Sequence, residues 1–189
     1  RNADIMLWAR DAATVDDING NHRNSRYLGD APLNPTLQAT LDPVEAIIDA
    51  DAVIMGIPSN NFRSVLSDIA PHLPQGAPLI SLTKGLERGS RLRMTEICRE
   101  IAPGRPVGVL TGPNLAREIV AGQAAAGVLA LDDPGPQVWL QPLLNVGLFR
   151  VYTNPDHIGC ELGGVFKNII AIAVGMGDGL GAGDNTRAA

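Results

Sequence analysis

The chain has 189 residues, 45% of them hydrophobic, and a formal net charge of -5. That length suits one domain with something appended to it, and an acidic balance without any basic run argues against nucleic acid or an anionic membrane as the main partner. The two cysteines, Cys98 and Cys160, are too few and too scattered for a disulfide framework or a zinc site, so a reducing, cytoplasmic setting is expected.

The first apolar run, at 3–9, reads as a strand and is too short for a signal peptide. A helical pattern follows at 14–21, then a strand at 37–41 and a helix at 43–50. The run at 52–57 is apolar on both faces and ends at Pro58, which has no N–H and stops the strand where a loop opens at the sheet's carboxyl edge. Further strands are expected at 78–82, 107–110, 126–131 and 148–152, with helices at 60–72, 91–101, 114–121 and 137–144. This alternation predicts an α/β fold, a doubly wound and mostly parallel sheet with helices on both faces. After Pro155 the alternation stops and a long helical pattern begins at His157, so a domain boundary falls near 155, with 1–155 as the sheet domain and 156–189 as the start of a helical one.

The segment 158–176 is apolar enough to mimic a membrane span, but it holds Glu161, Lys167 and four glycines, which points to a helix buried in protein. The glycine ladder at 175–183 superficially resembles a phosphate-binding fingerprint. It follows a helix, whereas such a loop must follow a strand, so it reads as a helix end and turn. The chain starts at Arg1 and stops inside an uncapped helical pattern, and is expected to be a fragment.

Of fifteen basic residues only two are lysines, Lys84 and Lys167. A guanidinium stays charged at any working pH, whereas a desolvated ammonium titrates, so lysine is the cation to keep where an amine must lose its proton. The strand at 78–82 runs into Lys84, with Gly85 expected to let the backbone turn. The next strand ends at Gly112-Pro113, with Asn114 expected as the N-cap of the following helix and, with Gly112, facing a ligand. Lys167 shares a helix face with Gly163, Gly164 and Ala171. It either snorkels outward or points into a cleft beside Lys84, where desolvation and like charge would favour a neutral amine able to act as general base. Arg10 closes the first strand. In a dinucleotide fold, arginine at that position accepts the 2'-phosphate of NADP, and a carboxylate pairs with the 2'-OH of NAD.

The strings Leu7-Trp-Ala-Arg10, Asn24-Ser-Arg-Tyr-Leu28, Leu82-Thr-Lys-Gly-Leu-Glu87, Thr111-Gly-Pro-Asn-Leu-Ala116, Phe149-Arg-Val-Tyr-Thr153 and Glu161-Leu-Gly-Gly-Val-Phe-Lys-Asn-Ile-Ile-Ala-Ile-Ala173 occur in order along the whole chain. Together they resemble the bacterial NAD(P)-dependent glycerol-3-phosphate dehydrogenases. The resemblance implies a Rossmann-like domain followed by a helical one. The reaction it implies is reversible reduction of dihydroxyacetone phosphate to sn-glycerol 3-phosphate, feeding glycerophospholipid synthesis, with NADP or else NAD as cofactor. By motif position it makes Lys167 the general acid and base on the C2 oxygen, and Lys84 a contact to both substrate and cofactor. It gives Gly112, Asn114 and Asn168 to the substrate, and Arg10, Asp11, Tyr27 and Ala116 to the dinucleotide. A homodimer fits the same family. Its glycine-rich loop would lie upstream of Arg1 and its phosphate-holding residues beyond Ala189, so the chain alone is expected to bind neither ligand well.

Two other readings stay open. A 2-hydroxyacid or 6-phosphogluconate-type dehydrogenase also uses a helix lysine, although Thr83-Lys84-Gly85-Leu86-Glu87 argues against it. A non-catalytic binding or structural fragment is the reading from a different class. A nucleoside triphosphatase is disfavoured because no Gly-x4-Gly-Lys-Ser/Thr run occurs.

Overall fold

The computed structural model describes residues 3–188. Arg1, Asn2 and Ala189, and with them the expectations tied to the chain's two ends, lie outside the described residues. All seven expected strands are present: β1 (Met6–Trp8), β2 (Gln38–Thr40), β3 (Val53–Met55), β4 (Leu79–Ser81), β5 (Val107–Thr111), β6 (Ala125–Leu131) and β7 (Phe149–Asn154). The helices are α1 (Ala12–Asn21), α2 (Ser25–Leu28), α3 (Ser59–Ile69), α4 (Met94–Ile101), α5 (Ala116–Val120), α6 (Gly135–Leu144), α7 (His157–Gly179) and α8 (Asp184–Ala188). A 3-10 turn, Ala70–His72, extends α3.

The strands form two sheets, which refines the expected single one. β1 and β2 pair in parallel by themselves, and β3 to β7 form a five-stranded sheet in sequence order. No strand among the described residues bridges β1 and β3, so the ladder is interrupted there. Within the larger sheet only the β5–β6 pair is antiparallel, which agrees with a mostly parallel sheet. The small sheet is tied to α1 by Asn19, whose side chain donates to the Ala39 carbonyl and accepts from the Ala39 N–H, both at 2.8 Å, in the manner of a neighbouring strand.

Helices cover both faces of the large sheet, as the two-sided apolar strands require. On one face Val53, Met55, Leu79 and Val107 pack with Phe62 and Leu66 of α3 and Met94 and Ile97 of α4. On the other, Ile80, Leu110, Leu129, Leu131 and Val151 meet Leu140 of α6. β4 shows the alternation residue by residue: Leu79 points into the first core and Ile80 into the second.

Three expectations are corrected. Residues 43–50 form turns rather than a helix. The Asp42 side chain accepts from the Val44 N–H at 2.8 Å, and the bonds that follow mix i-3 and i-4 partners, so no helical repeat is established. The long helix α7 is not buried: of its residues only Glu161 is, while Phe166, Ile169, Ile170, Ile172 and Met176 are exposed. α7 is also long and apolar enough to cross a membrane on composition alone. Finally, Asn114 does not cap α5; Leu115 occupies the cap position, with no side-chain cap bond.

Candidate active site

β3, β4 and β5 are parallel and register in step, so the loops after them open on one edge of the sheet. Thr83 holds two of these loops together by donating its hydroxyl to the Ile57 carbonyl at 2.5 Å. Gly85 sits at a bend, as the sequence suggested, and also at a close approach. It has no positive φ, but a Cβ on it would stand 3.0 Å from Ser59 Oγ. Glu87 anchors the far end of the Lys84 loop: its carboxylate accepts from Arg63 Nε at 2.7 Å and Nη2 at 2.9 Å, a bidentate pair to α3.

Lys84 leaves this braced loop and donates from Nζ to the Gly112 carbonyl at 2.7 Å. Gly112 closes β5 at φ 148, where a Cβ would lie 2.6 Å from the Ala126 carbonyl oxygen, so only glycine passes. Beside it, Asn114 Oδ1 is buried without a hydrogen-bond partner among the described residues. A buried acceptor left unpaired costs free energy unless something supplies a donor.

α7 crosses the same edge. At Gly164 a Cβ would come 3.0 Å from Thr111 Oγ1 and 3.5 Å from Lys84 Cγ, so the missing side chain lets the helix lie against the lysine stem. Lys167, one turn later, is exposed, yet near enough for its charge to act on Lys84. Partial desolvation of the Lys84 amine, on a side chain that is itself exposed, and then the Lys167 charge hold Lys84 below the ordinary lysine value. Lys167 thus extends outward on an exposed surface, while its charge still reaches the Lys84 amine. Asn168 follows Lys167 and is exposed.

The residues assigned to the dinucleotide lie between β1 and α1, on α2 and on α5. Arg10 is exposed at the carboxyl end of β1 and makes no ion pair among the described residues. Asp11 is occupied: its carboxylate accepts from Thr14 Oγ1 at 2.8 Å and Arg26 Nη1 at 3.2 Å, and these bonds, Thr14 first, hold it below the usual carboxylate range. Arg26 also lies over the Tyr27 ring, 5.4 Å from its centroid. The Tyr27 carbonyl accepts from Arg117 Nε at 2.9 Å, which brings α2 against α5 at Ala116. Contacts thus run from Asp11 through Arg26, Tyr27 and Arg117 to the segment that carries Asn114 and Gly112, and on to Lys84.

Sequence reading did not single out Arg63 or Thr111, because their partners are 24 and 53 positions away in the chain. Nor did it assign a role to Glu87 or Glu161, although both stand inside quoted motifs.

Residues 1–135 match the family model described as NAD-dependent glycerol-3-phosphate dehydrogenase N-terminus, and residues 156–189 match the C-terminus model of the same family. The chain is 62% identical over 188 residues to glycerol-3-phosphate dehydrogenase [NAD(P)+] 2 of Sphingopyxis alaskensis, covering 100% of this chain and 56% of that relative. It is 51% identical to the Mycobacterium avium glycerol-3-phosphate dehydrogenase [NAD(P)+], covering 100% of this chain and 55% of that one. The fold matches the crystal structure of glycerol-3-phosphate dehydrogenase from Coxiella burnetii with a TM-score of 0.86 at 34% identity, over 98% of this chain and 57% of that one. The chain therefore spans about half the length of the relatives it matches.

Proposed function

The chain belongs to the NAD-dependent glycerol-3-phosphate dehydrogenase family, and on that footing we propose that the protein reversibly reduces dihydroxyacetone phosphate to sn-glycerol 3-phosphate with NADP or NAD, supplying glycerophospholipid synthesis. The observation that carries this reading is the approach of α7 to the Lys84 loop, where Gly164 lies against the Lys84 stem and the Lys167 charge bears on the Lys84 amine.

The residues present fit a dinucleotide and a phosphorylated triose. Arg26 already neutralises Asp11, which leaves the Arg10 charge for an anionic group. The unpartnered Asn114 Oδ1 beside the crowded Gly112 suits a hydroxyl donor on a ligand. Arg10, Tyr27, Ala116 and Lys84 would hold the dinucleotide, which when bound supplies the hydride. Asp11 serves that site through Arg26. Gly112, Asn114 and Asn168 would line the triose. Lys84, fixed by the Gly112 carbonyl, orients and polarises the C2 oxygen. Lys167 gives that oxygen its proton in the reducing direction and takes it back in the oxidising one.

The domain boundary near Pro155 belongs to the same reading, supported by the gap between β7 and α7. So does an α7 flank that meets protein rather than lipid, supported by Glu161 and Lys167 within its length. A net charge of -5 speaks against a nucleic-acid partner, and two free thiols support a reducing cytoplasm. The homodimer rests on family membership alone.

The test is loss of NADPH absorbance with dihydroxyacetone phosphate, using the chain and a version extended to its relatives' length. Lys167→Ala in the active form should lower kcat by roughly 10²- to 10⁴-fold, the range of a general acid–base group, with NADPH affinity unchanged. A nearly normal rate would remove Lys167 from the chemistry. Turnover of 6-phosphogluconate in place of the triose would move the protein to the sister dehydrogenases.

A further inference from the structure

A deeply buried polar cluster sits under the start of α7. The Glu161 side chain is 1% exposed, on a helix whose other residues are not buried. Its Oε1 accepts from the Thr95 N–H at 3.1 Å, and its Oε2 accepts from Thr95 Oγ1 at 2.5 Å and from Arg93 Nη1 at 3.0 Å. Thr95 is fully buried. Arg93 is 13% exposed in its side chain and is shared with Glu96, whose Oε1 lies 3.1 Å from Nη2 and whose Oε2 accepts the Arg93 N–H at 2.8 Å. Every partner of Glu161 therefore lies at the start of α4.

That helix start continues the Lys84 loop. Leu86 and Arg93 form an antiparallel bridge, and the Glu87 N–H donates to the Leu92 carbonyl at 2.9 Å. On α7, Glu161, Gly164 and Lys167 form an i, i+3, i+6 row that winds gradually round the helix. Glu161 meets α4, Gly164 meets Thr111 and the Lys84 stem, and Lys167 acts on the Lys84 amine. One turn before Glu161, His157 Nε2 lies 2.9 Å from Arg99 Nη2; since a guanidinium only donates, the imidazole nitrogen accepts. Two adjacent turns of α7 are thus pinned to one helix.

We infer that Glu161 is the positioning residue of the lysine pair, its buried carboxylate locking α7 to the start of α4 and so setting where Lys167 stands relative to Lys84. Only the consequence for turnover rests on the proposed reaction; the effect on the lysine pair does not. Glu161→Gln keeps the volume but points an amide N–H₂ at a site where all three partners donate. Thr95→Val keeps the shape and removes one of those donors, and Thr95→Ser restores it.

The chain's two lysines make the test direct. Reductive ¹³C-methylation labels Lys84, Lys167 and the α-amine while keeping all three titratable; Lys84→Arg and Lys167→Arg assign the two lysine signals. In the parent chain the Lys84 signal should titrate below ordinary lysine. Glu161→Gln and Thr95→Val should shift its midpoint upward by roughly half a pH unit as the amines separate and hydrate. Thr95→Ser should keep the parent value, and so should Leu66→Ala, a destabilised control in the core beneath α3. A parent-like midpoint in Thr95→Val, or an equal shift in Leu66→Ala, would overturn the inference. Should Glu161→Gln not fold, the Thr95→Val and Thr95→Ser pair decides alone. In the extended protein the same variants should lose roughly ten- to a hundredfold in kcat with the KM for NADPH unchanged. An extended parent inactive on dihydroxyacetone phosphate would count against the proposed reaction and leave the titration result standing.

Discussion

Adjacent glycines on α7 offer a comparison in which sequence chemistry is constant and only the surroundings differ. Gly163 has nothing within 4 Å of an ideal Cβ, whereas at Gly164 that atom would stand 3.0 Å from Thr111 Oγ1 and 3.5 Å from Lys84 Cγ. Glycine to alanine inside a helix is favourable by up to about 1 kcal/mol, and Gly163→Ala should realise most of that gain. At Gly164 the same gain is opposed by overpacking, typically about 1–3 kcal/mol, because Thr111 Oγ1, at the end of β5, would have to give way to the added Cβ. The two variants should therefore differ by about 1–3 kcal/mol in unfolding free energy. At roughly 2–4 °C per kcal/mol for a chain of this size, thermal unfolding followed by circular dichroism resolves the difference. Gly164→Ala should also raise the titration midpoint of Lys84 by lifting α7 from its stem, and Gly163→Ala should leave it alone. Equal stabilisation by both substitutions, with an unmoved Lys84, would refute the close contact between α7 and the edge of the sheet.

The Arg63 pair, with Ser90 as second contributor, holds the Glu87 carboxyl down to about 2 from 4.5. A depressed carboxyl contributes stability that is present above the higher value and lost as pH falls towards the lower one. Urea unfolding between pH 5 and pH 2 should thus show an acid limb that flattens in Glu87→Gln; an unchanged limb would mean that the pair contributes nothing. At Gly108 a Cβ would run into the Ala130 carbonyl oxygen and reach 2.6 Å from Leu131 Cγ, so Gly108→Ala should cost about 3 kcal/mol, read as a lowered denaturant midpoint. Cys98 is buried and its thiol is pushed up to about 12 by burial and then by Glu161, so a thiol reagent should label the less buried Cys160 first in the native protein. Simultaneous labelling of both thiols would show that α4 opens readily.

All seven strands were legible because their signal is local: short apolar, β-branched runs bounded by Pro, Gly or Asp. Residues 43–50 were not, although they carry a helical spacing of Val44, Ile47 and Ile48. Asp42 competes for the first N–H, and a segment this short gains too few hydrogen bonds to offset helix nucleation. Packing of Ile47 against the β3 face then fixes the turns in place. The α7 error has the opposite origin. Its sequence is apolar round most of its circumference, which ordinarily signals burial, but burial depends on what lies opposite, and within this chain the helix meets other elements along one narrow row.

That row explains why half of the candidate site was readable and half was not. Lys84, Lys167, Gly112 and Asn114 stood out because each breaks a local rule: a rare residue type, or a glycine or asparagine at a strand end. Glu161 breaks one too, as a carboxylate within an otherwise apolar helix, but the sequence gives no hint that its partners are Arg93 and Thr95, 68 and 66 positions away. A charge in such a helix can snorkel, bind a ligand or be buried against donors, and only tertiary contact separates these outcomes. Here three donors converge on it, so removing the carboxylate would leave the buried Thr95 N–H unsatisfied. α7 therefore owes its approach to the Lys84 loop to a group that local sequence rules could flag but not assign.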